Sequence, residues 1–96
     1  MPRLRVLVVY DVSNDADRLR LSKRLQSMGL SRIQRSAFVG AMQRAKVRDI
    51  ARMASSIINH ETDVVHVVTV PENEWNRTIV LGKPWGYEEI DHVILV

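Results

Sequence analysis

Runs of apolar residues along the chain predict strands that alternate with helices. Consecutive aliphatic residues over 3–12 predict a strand that is buried on both faces. The β-branched run DVVHVVTV, residues 63–70, predicts a second strand that stops at Pro71. Shorter strands are predicted over 78–81 and 91–96. This order predicts an α/β chain of the α+β kind, in which two helices cover one sheet.

Two segments have the periodicity of helices. The first spans 15–28, follows polar capping residues and ends at Gly29. The second shows one apolar face at helical spacing, made of Val47, Ile50, Ala51, Ala54, Ile57 and Ile58. Residues 31–41, between the two helices, are predicted to be extended. They form either one bent strand or two short strands kinked near 35–36, and the pattern leaves both open.

The length and composition limit the class of protein. Ninety-six residues predict a single domain over 1–96, which buries roughly 60–70% of its surface and has little core to spare. No cysteine is present, which excludes disulfides, thiolate metal sites and cysteine nucleophiles and favours a cytoplasmic location. No apolar run approaches the ~20 residues of a membrane span, and the N-terminus lacks the features of a signal peptide.

The charges are divided unevenly between the two halves of the chain. Residues 1–52 carry twelve Lys and Arg against four Asp, a balance of +8, whereas residues 53–96 carry two against seven acids, a balance of −5. A basic half of this kind is typical of a surface that binds nucleic acid, although a solvated surface has the same composition. Arg44, Arg48 and Arg52 recur at i+4 steps on the second helix and are either a phosphate-binding ridge or a solvated face.

Asp11 is the candidate for chemistry, because it follows the aliphatic run of the first strand. Residues just beyond the carboxyl end of a central strand line the usual ligand site of an α/β sheet. The inward stripe of the first helix, extended back by one turn, reaches Arg18, which is therefore predicted to lie near Asp11. The alternatives are a structural ion pair between these two side chains, or Asp11 as an acceptor in the turn.

The common catalytic motifs are absent from the sequence. It contains no P-loop, GxGxxG, GxSxG or HExxH. The three histidines are too scattered for a metal-ligand spacing: His60 is interpreted as a helix cap, His66 as a packed strand residue and His92 as a surface or interface residue.

An ordered set of residues resembles one known family. The segments YDVSNDADRLR, SMGLSRIQRSAFVG, DVVHVV and TIVLG are similar to those of CRISPR-associated protein two, the small subunit of the spacer-acquisition machinery. The match covers nearly the whole chain. Its individual matching positions are Tyr10, Asp11, Arg18, Gly29, Arg32, Gln34, Ser36 and Phe38. Where the commoner family pattern has an acid after the Phe, this chain has Val39.

The resemblance implies a ferredoxin-like sandwich with a mostly antiparallel sheet and two helices on one face. It also implies a homodimer that packs sheet against sheet, with a C-terminal strand over 87–96 packed on the partner. The sequence supports dimerisation independently, because 63–70 is apolar on both alternating faces and an apolar strand at the C-terminus would make a poor exposed edge.

The resemblance further implies a metal-dependent endonuclease on RNA or DNA. Asp11 of each subunit would share Mg²⁺ or Mn²⁺, with a catalytic set of Asp11, Tyr10, Arg18, Arg32 and Phe38. In acquisition complexes the implied role is a bridge between copies of CRISPR-associated protein one that holds duplex DNA. The residues expected to bind nucleic acid are Arg18, Arg20, Arg32, Arg44, Arg48 and Arg52. The alternatives are a toxin-type ribonuclease of the same fold and a non-catalytic regulatory or assembly domain.

Overall fold

The computed structural model describes residues 3–84 and the backbone of 94–95. The elements in chain order are β1 (Leu4–Asp11), α1 (Asp15–Ser27), β2 (Ser31–Gln34), β3 (Ala37–Met42), α2 (Arg44–Ile57), β4 (Val64–Pro71), α3 (Glu72–Trp75), β5 (Ile79–Val80) and β6 (Ile94–Leu95). In this part of the chain no helix is both long enough and apolar enough to cross a bilayer.

The four longer strands form one sheet in the order β2-β3-β1-β4, with each neighbouring pair antiparallel. β1 and β2 are therefore parallel across β3, as are β3 and β4 across β1, and a helix makes each crossover. Buried residues of α1 and α2 join one core with those of the sheet. The predicted ferredoxin-like sandwich is confirmed.

The boundaries of α1 follow from local chemistry. The Asn14 side chain accepts a hydrogen bond from the Asp17 amide at 2.9 Å, which satisfies one of the free N–H groups of the first turn. Gly29 follows the helix with φ of 97°, a conformation that favours glycine. The helix ends at Ser27, one residue before the predicted end.

Residues 31–41 are two strands rather than one bent strand. A turn at 35–36 separates β2 from β3, and the pairing register shifts between Arg32 and Gln34. The Ser36 carbonyl, within that turn, accepts a hydrogen bond from the Tyr10 amide at 3.0 Å. The turn is therefore tied to the end of β1, next to the candidate site.

The two faces of the sheet differ in cover. Val6, Val8 and Tyr10 alternate along β1 toward the helices and are buried, whereas Val9 and Asp11 point to the opposite, open face and are exposed. On α2 the buried residues are Ile50, Met53, Ala54 and Ile57. The prediction that Ala51 is buried was wrong, because the helix presents Met53 to the core instead.

The short helix α3 was not predicted, and it covers part of the open face. Trp75 is 7% exposed and packs against the fully buried Val39. Arg5 binds the Glu72 carboxylate at 3.0–3.2 Å and lies 6.0 Å from the centre of the Trp75 ring. Pro71 is the last paired residue of β4, opposite Leu4, so the prediction that the strand stops before it was one residue short.

The C-terminal prediction falls mostly outside the described residues. Within the predicted strand over 91–96, only Ile94–Leu95 is described, as β6, which pairs in parallel with β5. His92 lies outside the described range. Packing of 87–96 on a second copy stays a prediction.

Candidate functional site

Asp11 ends β1 opposite Val64 of β4, on the open face of the sheet. Its side chain is exposed. Among residues 3–84 the carboxylate has no hydrogen bond or ion pair, so its oxygens are available to an external ligand. Val9 on the same face is 38% exposed and is paired with His66. Asp11 is therefore a charged group at the edge of an apolar, open surface.

Arg18 does not pair with Asp11, so the alternative of an ion pair between them was wrong. Arg18 forms an ion pair with Asp15, one turn earlier on α1, and donates from Nη1 to the Val12 carbonyl at 2.9 Å. It lies on the helix-covered side of the sheet, whereas Asp11 lies on the open side. The sequence correctly predicted that Arg18 and Asp11 lie near the same end of β1. It did not predict that they lie on opposite faces of the sheet.

The acceptor role considered for Asp11 belongs to Asp63. Its Oδ1 accepts from the Ser13 amide at 3.2 Å and from the Ser13 hydroxyl at 3.1 Å, while Oδ2 accepts from the Asn59 amide at 2.9 Å. These bonds, with that to Asn59 contributing most, lower the pKa of the Asp63 carboxyl. Asp63 joins the loop after α2 to the loop after β1, beside Asp11. In the sequence, only the position of Asp63 directly before the apolar residues of β4 indicated this role.

Tyr10 is 5% exposed, and its hydroxyl has no hydrogen-bond partner within the described residues. Its ring stacks on Phe38 with centroids 6.3 Å apart. Burial raises the pKa of the Tyr10 phenol, and the positive charges of Arg32 and, less, Arg18 partly oppose this rise. Tyr10 therefore stays a neutral hydrogen-bond donor at ordinary pH.

Arg32 belongs to the same neighbourhood as Tyr10. Its guanidinium lies 4.9 Å from the centre of the Phe38 ring, and Nη1 donates to the Arg35 carbonyl at 2.6 Å. Phe38 is fully buried in the core. The residues expected to form one catalytic set with Asp11 thus fall into two groups within a chain, with Asp11 on one face and the other four on or under the opposite face.

The three arginines of α2 all lie on its exposed side. Arg44, Arg48 and Arg52 have no ion pair with any described residue, and the apolar side of the helix faces the core. Arg20 on α1 is exposed too, but it lies 3.6 Å from the Asp17 carboxylate. An unneutralised row of cations is the arrangement expected of a surface that contacts a phosphate backbone.

The donor set around Asp11 fits a hard divalent cation only in part. The described residues contain no cluster of three or more His, Asp and Glu side chains that could hold a metal. Mg²⁺, however, commonly uses one or two carboxylates together with water and substrate phosphate. A single carboxylate at this position, that of Asp11, fits a site that a second copy would complete.

The remaining sequence expectations are placed as follows. His60 Nε2 lies 2.9 Å from the Ser55 carbonyl near the end of α2, which agrees with a cap. His66 is exposed on the open face, so its interpretation as a packed residue was wrong. Val39 lies beneath Trp75, opposite Leu7, four residues along β1 from Asp11. An acid at that position would be about 13 Å from Asp11 at ~3.3 Å per residue.

Comparison with known proteins places the chain in a family. Residues 4–78 match the family model described as CRISPR associated protein Cas2. A CRISPR-associated endoribonuclease Cas2 of Archaeoglobus fulgidus is 33% identical over 77 residues, which make up 80% of this chain and 82% of the relative. A CRISPR-associated endonuclease Cas1/endonuclease Cas2 fusion of Thermoproteus tenax is 38% identical over 60 residues, or 62% of this chain and 23% of the fusion.

The solved structure of Streptococcus pyogenes Cas2 at pH 6.5 is similar as well. It aligns with a TM-score of 0.68 and 28% sequence identity, and the alignment covers 81% of this chain and 99% of that one. The fold, the family model and the sequence identities agree with the family resemblance of the ordered sequence segments. The chain therefore belongs to the CRISPR associated protein Cas2 family.

Proposed function

We propose that this chain is the small subunit of a CRISPR spacer-acquisition complex, which binds duplex DNA as a homodimer and carries a metal-dependent endonuclease activity. The observation that carries the proposal is the exposed, unpaired carboxylate of Asp11 at the edge of the open sheet face. The family and the endoribonuclease and endonuclease names of its members support nuclease chemistry.

The open face supports the homodimer. Val9, Val64 and Val68 are 38–44% exposed on this face, although all three are large apolar side chains. Several exposed apolar side chains on one face of a small sheet favour an interaction surface. A second copy, related by a two-fold axis, would cover it with the same patch and bring a second Asp11 to the interface.

Asp11 of both copies would hold Mg²⁺ or Mn²⁺ in this arrangement. The ion would supply a nucleophilic water and neutralise the charge that develops on the phosphate. The chain itself supplies the carboxylate without a competing partner, and the surrounding valines exclude bulk water once the interface forms. The scissile strand would be RNA or DNA; the relatives named as endoribonucleases make RNA the first substrate to test.

Asp11→Asn tests the proposal directly. The substitution keeps the shape of the side chain but removes the charge that a hard cation needs, so cleavage of RNA and DNA with Mg²⁺ or Mn²⁺ should fall to background. The melting temperature, the sedimentation of the dimer and DNA retention should be unchanged, because Asp11 has no partner among residues 3–84. Asp49→Asn, at an exposed aspartate of α2, is the matched control and should cleave like the original chain.

Cleavage that survives Asp11→Asn would contradict the metal role. Undetectable cleavage by the original chain, with normal DNA binding, would leave a non-catalytic bridge between copies of the integrase subunit. That partner is proposed because a relative carries both proteins in one chain. Failure to retard duplex DNA at low salt would favour a regulatory or assembly domain instead.

DNA binding is proposed to use the exposed row on α2. Replacing Arg44, Arg48 and Arg52 by Gln should weaken binding to unrelated duplexes alike and reduce the log–log salt slope by roughly one unit per lost phosphate contact. Filter binding between low and moderate salt measures the slope. Lys23→Gln, which removes one positive charge from α1, is the control for each single Arg→Gln variant and should leave the slope unchanged. An unaltered slope in the triple variant would show that this helix face is merely solvated.

A further inference from the structure

A cavity on the helix-covered side of the sheet has chemistry that the proposed cleavage site does not use. It has a volume of ≈ 240 Å³ and lies between α1 and the turn that joins β2 to β3. Its charged lining consists of Arg18, Arg32, Arg35 and Asp15, and Tyr10 lines it from β1. Since a water molecule takes ~30 Å³ of liquid volume, the cavity has room for a group of several heavy atoms, such as a phosphate.

The charges around the cavity match a dianion. Three guanidinium groups and one carboxylate leave a net charge of +2. Inorganic phosphate and phosphate monoesters carry about −1.5 to −2 at pH 7, because their second pKa is near 6. A phosphodiester inside a strand carries a single negative charge. A terminal or free phosphate therefore complements the cavity better than an internal one.

The Tyr10 hydroxyl is an independent indication of a ligand. The side chain is 5% exposed, and the oxygen is buried without a partner in the part of the chain that the structure describes. A buried hydroxyl without an acceptor is costly, and most such groups in proteins are hydrogen-bonded. The positive charges of Arg32 and Arg18 both act on this phenol. An oxyanion held by these two arginines would provide the missing acceptor.

The two arginines are already held in place. Arg18 is fixed by its bond to the Val12 carbonyl and its ion pair with Asp15. Arg32 is fixed by the Arg35 carbonyl and by the Phe38 ring. A guanidinium has five N–H donors, so each retains donors for a phosphate after these contacts. Fixing both side chains in advance reduces the entropy lost on binding.

We propose that this cavity binds a dianionic phosphate group, and that the group is the terminal phosphate of a nucleic-acid strand. Only the source of the phosphate rests on the proposed function. Tyr10 donates to a phosphate oxygen, while Arg18, Arg32 and Arg35 neutralise its charge. The cavity opens on the side of the sheet opposite Asp11, so binding of a strand end and cleavage occupy different faces of one chain.

Calorimetric titration with inorganic phosphate in the presence of EDTA tests the cavity without any cleavage. Tyr10→Phe and Arg35→Gln should each weaken binding roughly tenfold, the effect expected for one lost hydrogen bond or ion contact to a charged ligand. Tyr10→Phe should keep the melting temperature, because it removes a hydroxyl without a partner. Arg24→Gln, also on α1 but outside the cavity, is the matched control and should bind like the original chain.

Changing the charge of the ligand provides a second test. Phosphate should bind more weakly at pH 5, where it is a monoanion, whereas sulfate should bind equally at pH 5 and pH 7.5. No phosphate binding, or equal affinity in the original chain and Tyr10→Phe, would overturn the site. Equal loss in Arg24→Gln would also overturn it, since the effect would then come from general charge.

Oligonucleotides distinguish the two sources of phosphate. A short single strand with a 5′-phosphate should bind roughly tenfold more tightly than the same strand with a 5′-hydroxyl, and Arg35→Gln should remove the difference. Equal binding of the two strands would overturn the assignment to a strand end, even if inorganic phosphate binds. Because EDTA is present throughout, loss of the cleavage proposal leaves these results interpretable.

Discussion

The helix-covered and open faces of the sheet differ in exposure, although the same strands build both. On the covered face Val8 is fully buried and Tyr10 is 5% exposed, whereas on the open face Val9 is 38% exposed and Asp11 is exposed. Adjacent residues of β1 therefore alternate between the buried core and the exposed open face. Tyr10 and Asp11, which are adjacent in the sequence, therefore lie on opposite faces of the sheet.

The open face is itself divided. At one end α3 covers it, with Trp75 on Val39 and Arg5 on Glu72. At the other end, around Asp11, the described residues provide no such cover. Within the described residues, the open face is therefore covered at the α3 end and exposed at the Asp11 end.

A charge on the open face should have the largest effect. Val9→Asp places two like charges in the proposed interface, one from each copy, and removes apolar contact. The dissociation constant of the dimer should therefore increase by at least roughly a hundredfold. Sedimentation velocity across a concentration series measures this change. Leu19→Asp, at an apolar position of α1 that is 55% exposed, is the matched control and should remain dimeric. A Val9→Asp chain that is still dimeric would place the interface elsewhere.

Truncation of valines should separate the faces by stability. In the monomeric Val9→Asp background, Val8→Ala should lower the free energy of unfolding by about 2 kcal/mol, because it removes buried methyl groups and leaves a cavity. Val68→Ala, at a position 43% exposed on the open face, should cost under about 1 kcal/mol. Urea unfolding measures both. Equal costs would show that the two faces are equally packed within one chain.

The smallest effect concerns the ionisation of Tyr10. Burial raises the pKa of this phenol, so in a Tyr87→Phe background its absorbance change should occur above pH 10. The pKa of Tyr10 is higher in the folded state than in the unfolded state. Its contribution to the free energy of unfolding is therefore fully present below pH 10 and is lost as the pH rises through the folded-state pKa. Arg32→Gln should move the transition to still higher pH, since Arg32 opposes the rise. A shift to lower pH would contradict this account.

The fold could be predicted because its signals are local. Aliphatic runs, the Asn14 cap and Gly29 define β1 and α1, and the apolar spacing of α2 defines its buried side. α3 could not be predicted, since four residues carry too little periodicity and its position depends on Trp75 meeting Val39, which is distant in sequence. The exposure of His66 was missed for a similar reason: a β-branched run does not reveal which face lacks a covering layer.

The sequence identified the candidate site residues but not how they are arranged. The resemblance found Tyr10, Asp11, Arg18 and Arg32, all of which lie at one end of the sheet. Assigning them to one catalytic group ignored the two-residue period of a strand, which sends Tyr10 and Asp11 to opposite faces. The partner of Arg18 was also missed, because a nearby helical carboxylate, Asp15, competes successfully with a more distant strand residue.

The alternation of Tyr10 and Asp11 also protects the folding of β1 against errors. A slip of one residue in its pairing with β3 and β4 would turn every side chain of the strand to the other face. The Asp11 carboxylate would then lie beneath the helices, and the Tyr10 ring would be turned out to solvent. Burying an unpaired carboxylate is costly enough to disfavour the slipped sheet. Asp11, the residue proposed to hold the metal, therefore also destabilises shifted pairings of β1 before any ligand is present.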